Sequence, residues 1–143
     1  MLRSPQSHSR HPSDMMNAMP VTRGQLEAQI SEFMTTFQKE HMGRGPLETR
    51  SYIIDDLLVV RMRGTMTPAE QQLAKSQDAK GRDLIKQVRL ELLHNARPTL
   101  AAAIRDILRV PVVSMHADIS TRTGESIIVF TLGDRPLFRE NNG

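Results

Sequence analysis

Several residue types are scarce or missing in this chain of 143 residues, and each absence excludes a class of protein. There is no cysteine, which excludes disulfide bridges, zinc sites with thiolate ligands and a cysteine nucleophile. Tryptophan is also absent and Tyr52 is the single tyrosine, so the core must be built from aliphatic side chains and methionine. No apolar run approaches the roughly 20 residues of a membrane-spanning helix. The composition therefore indicates a soluble domain with an aliphatic core.

Charge and aromatic content disfavour binding to nucleic acids. The formal net charge is only +3, and the arginines are interspersed with acidic residues. A nucleic-acid-binding protein usually concentrates its basic residues on one surface and adds aromatic side chains that stack on bases. We therefore rank nucleic-acid binding last among the hypotheses.

The two ends of the chain are predicted to lie outside the folded domain. Residues 1–20 are rich in Ser, His, Pro and Arg, and such a segment cannot bury enough apolar surface to offset its ordering entropy. Pro5 and Pro12 interrupt the apolar stretch that a signal peptide would need, so we expect a cytoplasmic protein. We predict a disordered tail over residues 1–20, one domain over 21–133, and a flexible tail over 134–143.

Helix caps and hydrophobic periodicity predict an α+β fold. Thr22 with Gln25, and Thr67 with Glu70, match the capping-box pattern that begins helices. Pro98 is expected to break the long helical pattern near its middle, because proline removes a helix hydrogen bond. Residues 49–55 with 57–63, and 112–120 with 125–132, form two predicted hairpins. The predicted order is α-β-β-α-α-α-β-β, with a four-stranded antiparallel sheet and the helices packed on one face.

The last strand of this pattern predicts both a core and a dimer. Leu84, Val88 and Leu92 recur at helical spacing and are expected to pack against Ile128 and Phe130. Residues 127–130 are apolar on both sides of the strand, so the strand is either central or covered by a second copy of the protein. Because large apolar patches are seldom left open to water, we predict a homodimer.

The strongest candidate for a binding site lies on the second hairpin. His116 and Asp118 are two residues apart on a strand, so they point to the same side of the sheet. They could form a polar site in which His exchanges a proton and Asp orients it. Asp118 could instead be buried and accept backbone hydrogen bonds in the following turn, or both residues could simply be solvated. Thr121, Arg122 and Gly124 in that turn would bring hydroxyl and backbone N–H groups to the same end.

A second candidate is the glycine-rich loop after the first helix. In Gly43-Arg44-Gly45-Pro46, exposed backbone N–H groups beside an arginine would suit an anion such as phosphate or bicarbonate. The two glycines could equally serve as a helix cap and chain reversal.

Motifs of known enzymes are missing. No His-x-His or His-Glu-x-x-His spacing indicates a metal site, and no Gly-x-Ser-x-Gly motif supplies a nucleophile. We therefore assign no catalytic residue and no metal ligand, and no cofactor can be identified.

Five separated motifs in the ordered part of the chain together carry a family resemblance. They are Gly43–Pro46, Leu57–Arg61, Leu73–Lys75 with Gly81-Arg82, Leu84–Arg89, and His116–Ser120 with Thr123–Glu125. With these motifs the chain resembles the MpsC-like family over about residues 22 to 133. This is a small bacterial domain of largely unknown function, named for a sodium-translocating system that generates membrane potential.

The resemblance implies a cytoplasmic accessory protein linked to a membrane system that moves ions or inorganic carbon. It supplies no catalytic residues. We therefore expect a non-catalytic binding or regulatory module that contacts a membrane transport complex through protein surfaces and does not itself insert into the membrane. The alternative hypothesis is a small enzyme in which His116 and Asp118 transfer protons.

Overall fold

The computed structural model describes residues 21–139, which form a four-stranded antiparallel sheet with two long helices against it. The predictions for residues 1–20 and 140–143 lie outside the described residues. The predicted α+β class is confirmed, with one fewer helix than expected. The elements are α1 (Arg23–Met42), β1 (Glu48–Ile54), β2 (Leu57–Arg63), α2 (Pro68–Ala74), α3 (Lys80–Leu108), β3 (Val112–Ile119) and β4 (Ser126–Leu132).

Helix α1 begins and ends where the sequence predicts. The Thr22 hydroxyl accepts a hydrogen bond from the backbone N–H of Gln25, and the Gln25 side chain accepts one from the N–H of Thr22, which completes the capping box. The helix stops at Gly43, whose φ of 90° lies in the left-handed region that glycine adopts without steric cost.

The sheet has the strand order β1-β2-β4-β3, so β4 is an interior strand as predicted. Its two neighbours pair with it in antiparallel register, which places Val129 opposite both Val59 and His116. Edge strand β1 is protected by α1, because the N–H of Ile53 donates to the Glu27 carboxylate at 2.8 Å.

The predicted helix break at Pro98 is wrong, because α3 runs unbroken through it for 29 residues. Pro98 lies on the exposed side of the helix, as does His94, whose carbonyl loses its usual N–H donor four residues later. Water can satisfy a carbonyl in that position, and the buried residues on either side hold the two halves of the helix against the sheet. These are Leu93 before the proline and Leu100, Ile104 and Leu108 after it.

The core is aliphatic, as the composition predicts, but one helix face was assigned wrongly. Ile128 and Phe130 are buried as expected. Leu84, Val88 and Leu92 are instead 48, 50 and 41% exposed. The buried line of α3 is rotated by one residue and contains Gly81, Ile85, Arg89 and Leu93.

The chain after β4 returns to the start of α1. The backbone N–H of Arg139 donates to the carbonyl of Val21 at 2.7 Å, and Phe138 packs against the core. Residues 134–139, within the segment predicted to be flexible, therefore lie against the domain in this structure.

Candidate functional site

One face of the sheet is covered by no helix among the described residues, and we call it the open face. Its apolar part, which we call its centre, extends from β1 across β2 to β4, and polar side chains lie along β3 and at the end that carries Arg50 and Arg61. Tyr52, Ile54 and Ile127 are 39, 53 and 38% exposed there. Strand alternation and register place the remaining members beside them: Arg50, Leu57, Val59, Arg61, Ser114, His116, Asp118, Val129 and Thr131.

His116 and Asp118 both lie on the open face, at its edge on strand β3. The side chain of Asp118 is 75% exposed, so the alternative in which it is a buried brace of the turn does not hold. Its Oδ1 accepts a hydrogen bond from the N–H of Ile119 at 2.8 Å and lies 3.2 Å from Nζ of Lys86 on α3. An ion pair this exposed contributes less than about 1 kcal/mol. His116 is exposed and lines none of the four cavities found among residues 21–139.

The turn after β3 brings Thr121, Arg122 and Gly124 to the same end of the sheet as Asp118. The turn is closed by the N–H of Gly124, which donates to the carbonyl of Ser120 at 2.7 Å. Gly124 has a φ of 77°, a conformation that other residues adopt only with strain. A shallow surface cavity beside the turn is lined by Asp118, Thr121 and Arg122, so these three candidates do lie together.

The Gly43–Gly45 loop lies next to Thr67 and Lys39 rather than next to the second hairpin. A side chain at Gly43 would come within 4.0 Å of Thr67, and one at Gly45 would contact Lys39. Gly43 acts as the left-handed cap of α1, which accounts for that glycine without a ligand. None of the four cavities is lined by both this loop and the second hairpin.

A buried ion pair that the sequence analysis did not single out joins α2 to α3. Arg89, with its side chain 6% exposed, donates from Nε and Nη2 to the two carboxylate oxygens of Glu70 at 2.8 and 2.7 Å. Nη2 also donates to the carbonyl of Thr65 at 2.7 Å. Burial by itself would raise the pKa of Glu70, but the hydrogen bonds and charge of Arg89, together with the N–H of Thr67, lower that pKa overall.

The described residues contain neither a metal-binding cluster nor a membrane-spanning helix. Between Val21 and Arg139 there is no group of three or more His, Cys, Asp or Glu residues that could hold a metal ion. In the same part of the chain, no helix has the length and apolar character needed to cross a membrane.

Comparison with known proteins places the chain in a family. Residues 22–134 match the model of a family described as the Na+-translocating membrane potential-generating system (MpsC). An uncharacterized protein of Bacillus subtilis strain 168, YbcI, is 36% identical over 114 residues, which cover 80% of this chain and 90% of the relative. No solved structure matches the chain. The match to the family model spans most of the sequence, and the chain therefore belongs to the MpsC family.

Proposed function

We propose that this protein is a non-catalytic accessory or regulatory module of a membrane-potential-generating system. In this proposal it works in the cytoplasm as a homodimer and reaches the membrane complex by protein contact, without inserting into the lipid. The description of its family supports the link to such a system, whose cargo would be Na+ or, as the motif resemblance implies, inorganic carbon. The observation that carries the proposal is the open face, whose exposed apolar side chains and neighbouring charges suit contact with another protein.

The apolar centre of the open face is proposed to be covered by a second copy of the chain. Tyr52, Ile54 and Ile127 leave a contiguous apolar area exposed, with Val59 and Val129 half-buried between them. Monomeric proteins rarely expose contiguous apolar patches larger than a few hundred Å². Two sheets that meet face to face would bury this area about 10 Å apart.

Charges at the two ends of the sheet favour a second copy as the occupant. At one end, within residues 21–139, Arg50, Arg61 and Arg63 contact two glutamates, Glu48 and Glu125, which leaves a net positive charge. At the other end, the hairpin turn carries Asp55 and Asp56, and among the described residues their basic contact is from Arg135 to Asp55 at 3.8 Å. A two-fold axis that lies between the two sheets and runs perpendicular to the strands would bring the basic end of one copy to the acidic end of the other.

The edge of the open face at the second hairpin is proposed as the contact for the membrane complex. His116, Asp118 and Arg122 are exposed there, on or beside edge strand β3. Exposed charged and polar groups of this kind orient a partner protein rather than catalyse a reaction.

The alternative function, an enzyme that uses His116 and Asp118 for proton transfer, has less support. Such an enzyme needs a concave site with further polar groups converging on His116. His116 instead lies on a flat strand position, and the carboxylate of Asp118 is directed to Lys86.

Light scattering tests the dimer. We expect the native protein to be a dimer at micromolar concentration, and Val129→Glu at the centre of the open face to be a folded monomer. Leu92→Glu is the matched control, because Leu92 is an apolar residue 41% exposed on α3, which covers the other face of the sheet. A native protein that is monomeric at these concentrations would contradict the dimer.

Capture from the cells that make the protein tests the partner. The tagged native protein is cross-linked in cells, and we expect mass spectrometry to identify subunits of a membrane ion-translocating complex. Asp118→Asn should keep the native melting temperature but reduce this capture, whereas Asp106→Asn, an exposed aspartate on α3, should change neither. If Asp118→Asn lowers the melting temperature while its folded fraction still captures the complex, Asp118 braces the hairpin and is not part of the contact.

A further inference from the structure

A largely apolar cavity of about 260 Å³ lies between the sheet, the end of α1 and the first half of α3. Its volume is close to the lower limit of pockets that bind small molecules. Most of its wall is formed by aliphatic and methionine side chains, among them Met42, Met62, Leu90, Leu93, Ile119 and Ile128. Lys86, Leu90 and Asp118 are exposed members of the lining, so solvent can reach the cavity on their side.

Gln38 is the residue that marks this cavity as a binding site. Its side chain lines the cavity and is only 2% exposed, yet its Nε2 has no hydrogen-bond partner among the described residues. An unpaired buried amide is destabilising, and native proteins contain few of them. Gln38 also continues the buried line of α1 that runs through Leu26, Ile30 and Met34, where an aliphatic residue would stabilise the fold more. The unpaired amide is accounted for if a ligand oxygen accepts its hydrogen bonds.

The charged residues of the lining indicate the chemical class of that ligand. Two of them are cations, Lys86 and Arg89, and one is an anion, Asp118. The charge of Arg89 is neutralised by Glu70, whereas the pair between Lys86 and Asp118 is exposed, so Lys86 can move to an incoming carboxylate at little cost. An unpaired amide donor and a cation that can be released, in an otherwise apolar cavity, suit a molecule with an acidic head and an apolar body.

We propose that this cavity binds a small monocarboxylic acid with an unbranched apolar chain. The carboxylate accepts hydrogen bonds from Nε2 of Gln38 and pairs with Lys86 at the exposed side of the cavity. The chain lies against Met42, Met62 and Ile128. This inference rests on the cavity alone and stands whether or not the protein contacts a membrane complex.

A chain-length series measures the apolar part of the site. We would titrate the full-length protein with hexanoate, octanoate and decanoate by isothermal calorimetry, and follow the Gln38 side-chain amide by NMR. Each CH2 added inside the cavity is expected to tighten binding about fourfold, from about 0.8 kcal/mol per buried CH2. The gain should stop once the cavity is full. The alcohols of the same chain lengths should bind more weakly, because they lack the charge that Lys86 recognises.

Variants separate this site from other apolar surfaces. Gln38→Leu should weaken octanoate binding roughly 10- to 100-fold, as expected for the loss of a hydrogen bond to a charged group. It should also raise the melting temperature, because the unpaired amide is gone. Gln29→Leu is the matched control, an exposed glutamine on the same helix, and should leave binding unchanged. Ala117→Leu, which fills the cavity from the sheet, should abolish binding of the longer acids.

Two results would overturn the proposal. One is the absence of binding by every acid in the series at millimolar concentration, which would mean that water alone satisfies Gln38. The other is binding that Gln38→Leu and Ala117→Leu leave intact but that Val88→Ser removes, which would place the acids on the exposed face of α3.

Discussion

Removing the negative charge of Glu70 is expected to destabilise the protein more than removing its positive partner. In the native protein the Glu70 carboxylate accepts a hydrogen bond from the backbone N–H of Thr67 at 2.8 Å. Glu70→Gln keeps an oxygen that can accept this hydrogen bond, so the start of α2 stays capped. The substitution removes the acceptor of Arg89 Nε and the negative charge, so Arg89, 6% exposed, keeps only neutral acceptors, which are the remaining side-chain oxygen at position 70 and the carbonyl of Thr65. An uncompensated buried charge of this kind costs about 3–5 kcal/mol of unfolding free energy.

The reverse change, Arg89→Met, should cost less. Glu70 is 20% exposed, so water can reach its carboxylate, and the N–H of Thr67 continues to donate to it. The main loss is the hydrogen bond to the buried carbonyl of Thr65, which corresponds to about 1–3 kcal/mol. The double variant carries neither charge, so its cost should be smaller than the sum of the two single costs by about 1 kcal/mol or more.

Urea denaturation at pH 7, followed by circular dichroism, measures all three variants. Glu91→Gln, an exposed glutamate on α3, is the control and should change stability by less than about 0.5 kcal/mol. Because the folded pKa of Glu70 is lowered, its contribution to stability is present above its ordinary pKa and is lost as the pH falls through the folded value. The native protein should therefore lose more stability than Glu70→Gln on acidification below about pH 4.3. Equal costs for Glu70→Gln and Arg89→Met, with strict additivity in the double variant, would refute this account of the pair.

Two further substitutions test the packing of α3 and the sheet. Phe130→Ala is expected to cost about 3–5 kcal/mol because Phe130 is 1% exposed, whereas Val88→Ala, at a position 50% exposed, should cost less than about 1 kcal/mol. Comparable denaturation midpoints for these two variants would show that the assigned core face of α3 is wrong. Pro98→Ala should raise the free energy of unfolding by up to about 3 kcal/mol, since alanine restores the hydrogen bond to His94 in a continuous helix. A fall in the denaturation midpoint would show instead that the local shape at Pro98 is needed for packing on both sides.

Much of the fold follows from local signals in the sequence. The two capping boxes set the starts of α1 and α2, and strand β2 has the predicted limits of 57 and 63. The predicted helix break at Pro98 was wrong because the free-energy cost of a proline inside a helix depends on whether that side of the helix is buried or exposed to water. On an exposed surface the cost is one hydrogen bond replaced by water, and packing against the sheet on both sides of Pro98 exceeds it.

The wrong face of α3 has a specific cause. Its buried line includes Gly81, where a β-carbon would come within 2.5 Å of the Leu73 carbonyl oxygen, so the close approach of α2 requires glycine. The same line includes Arg89, which is buried only because Glu70 comes from another helix to meet it. Glycine and arginine make this line appear polar in sequence, and the neighbouring line of leucines and valine appears to be the core. The ion pair of Arg89 with Glu70 and the contact of Gly81 with α2 determine which face of α3 is buried. Neither can be read from the hydrophobic periodicity of α3 alone.

The proposed ligand site, like the buried line of α3, involves a polar residue at a buried helix position. Gln38 continues the spacing of four residues that runs from Leu26 through Met34, and that spacing was the signal in the sequence that could have found it. Its significance depends on the lack of a partner, which only the packing of α1, α3 and the sheet reveals. Arg89 lines the same cavity from α3, so two polar residues that occupy buried helix lines meet at one place. A polar residue at a position where an aliphatic residue would make the fold more stable is expected at a binding site. In this protein Gln38 and Arg89 are such residues, and both line the cavity rather than the open face.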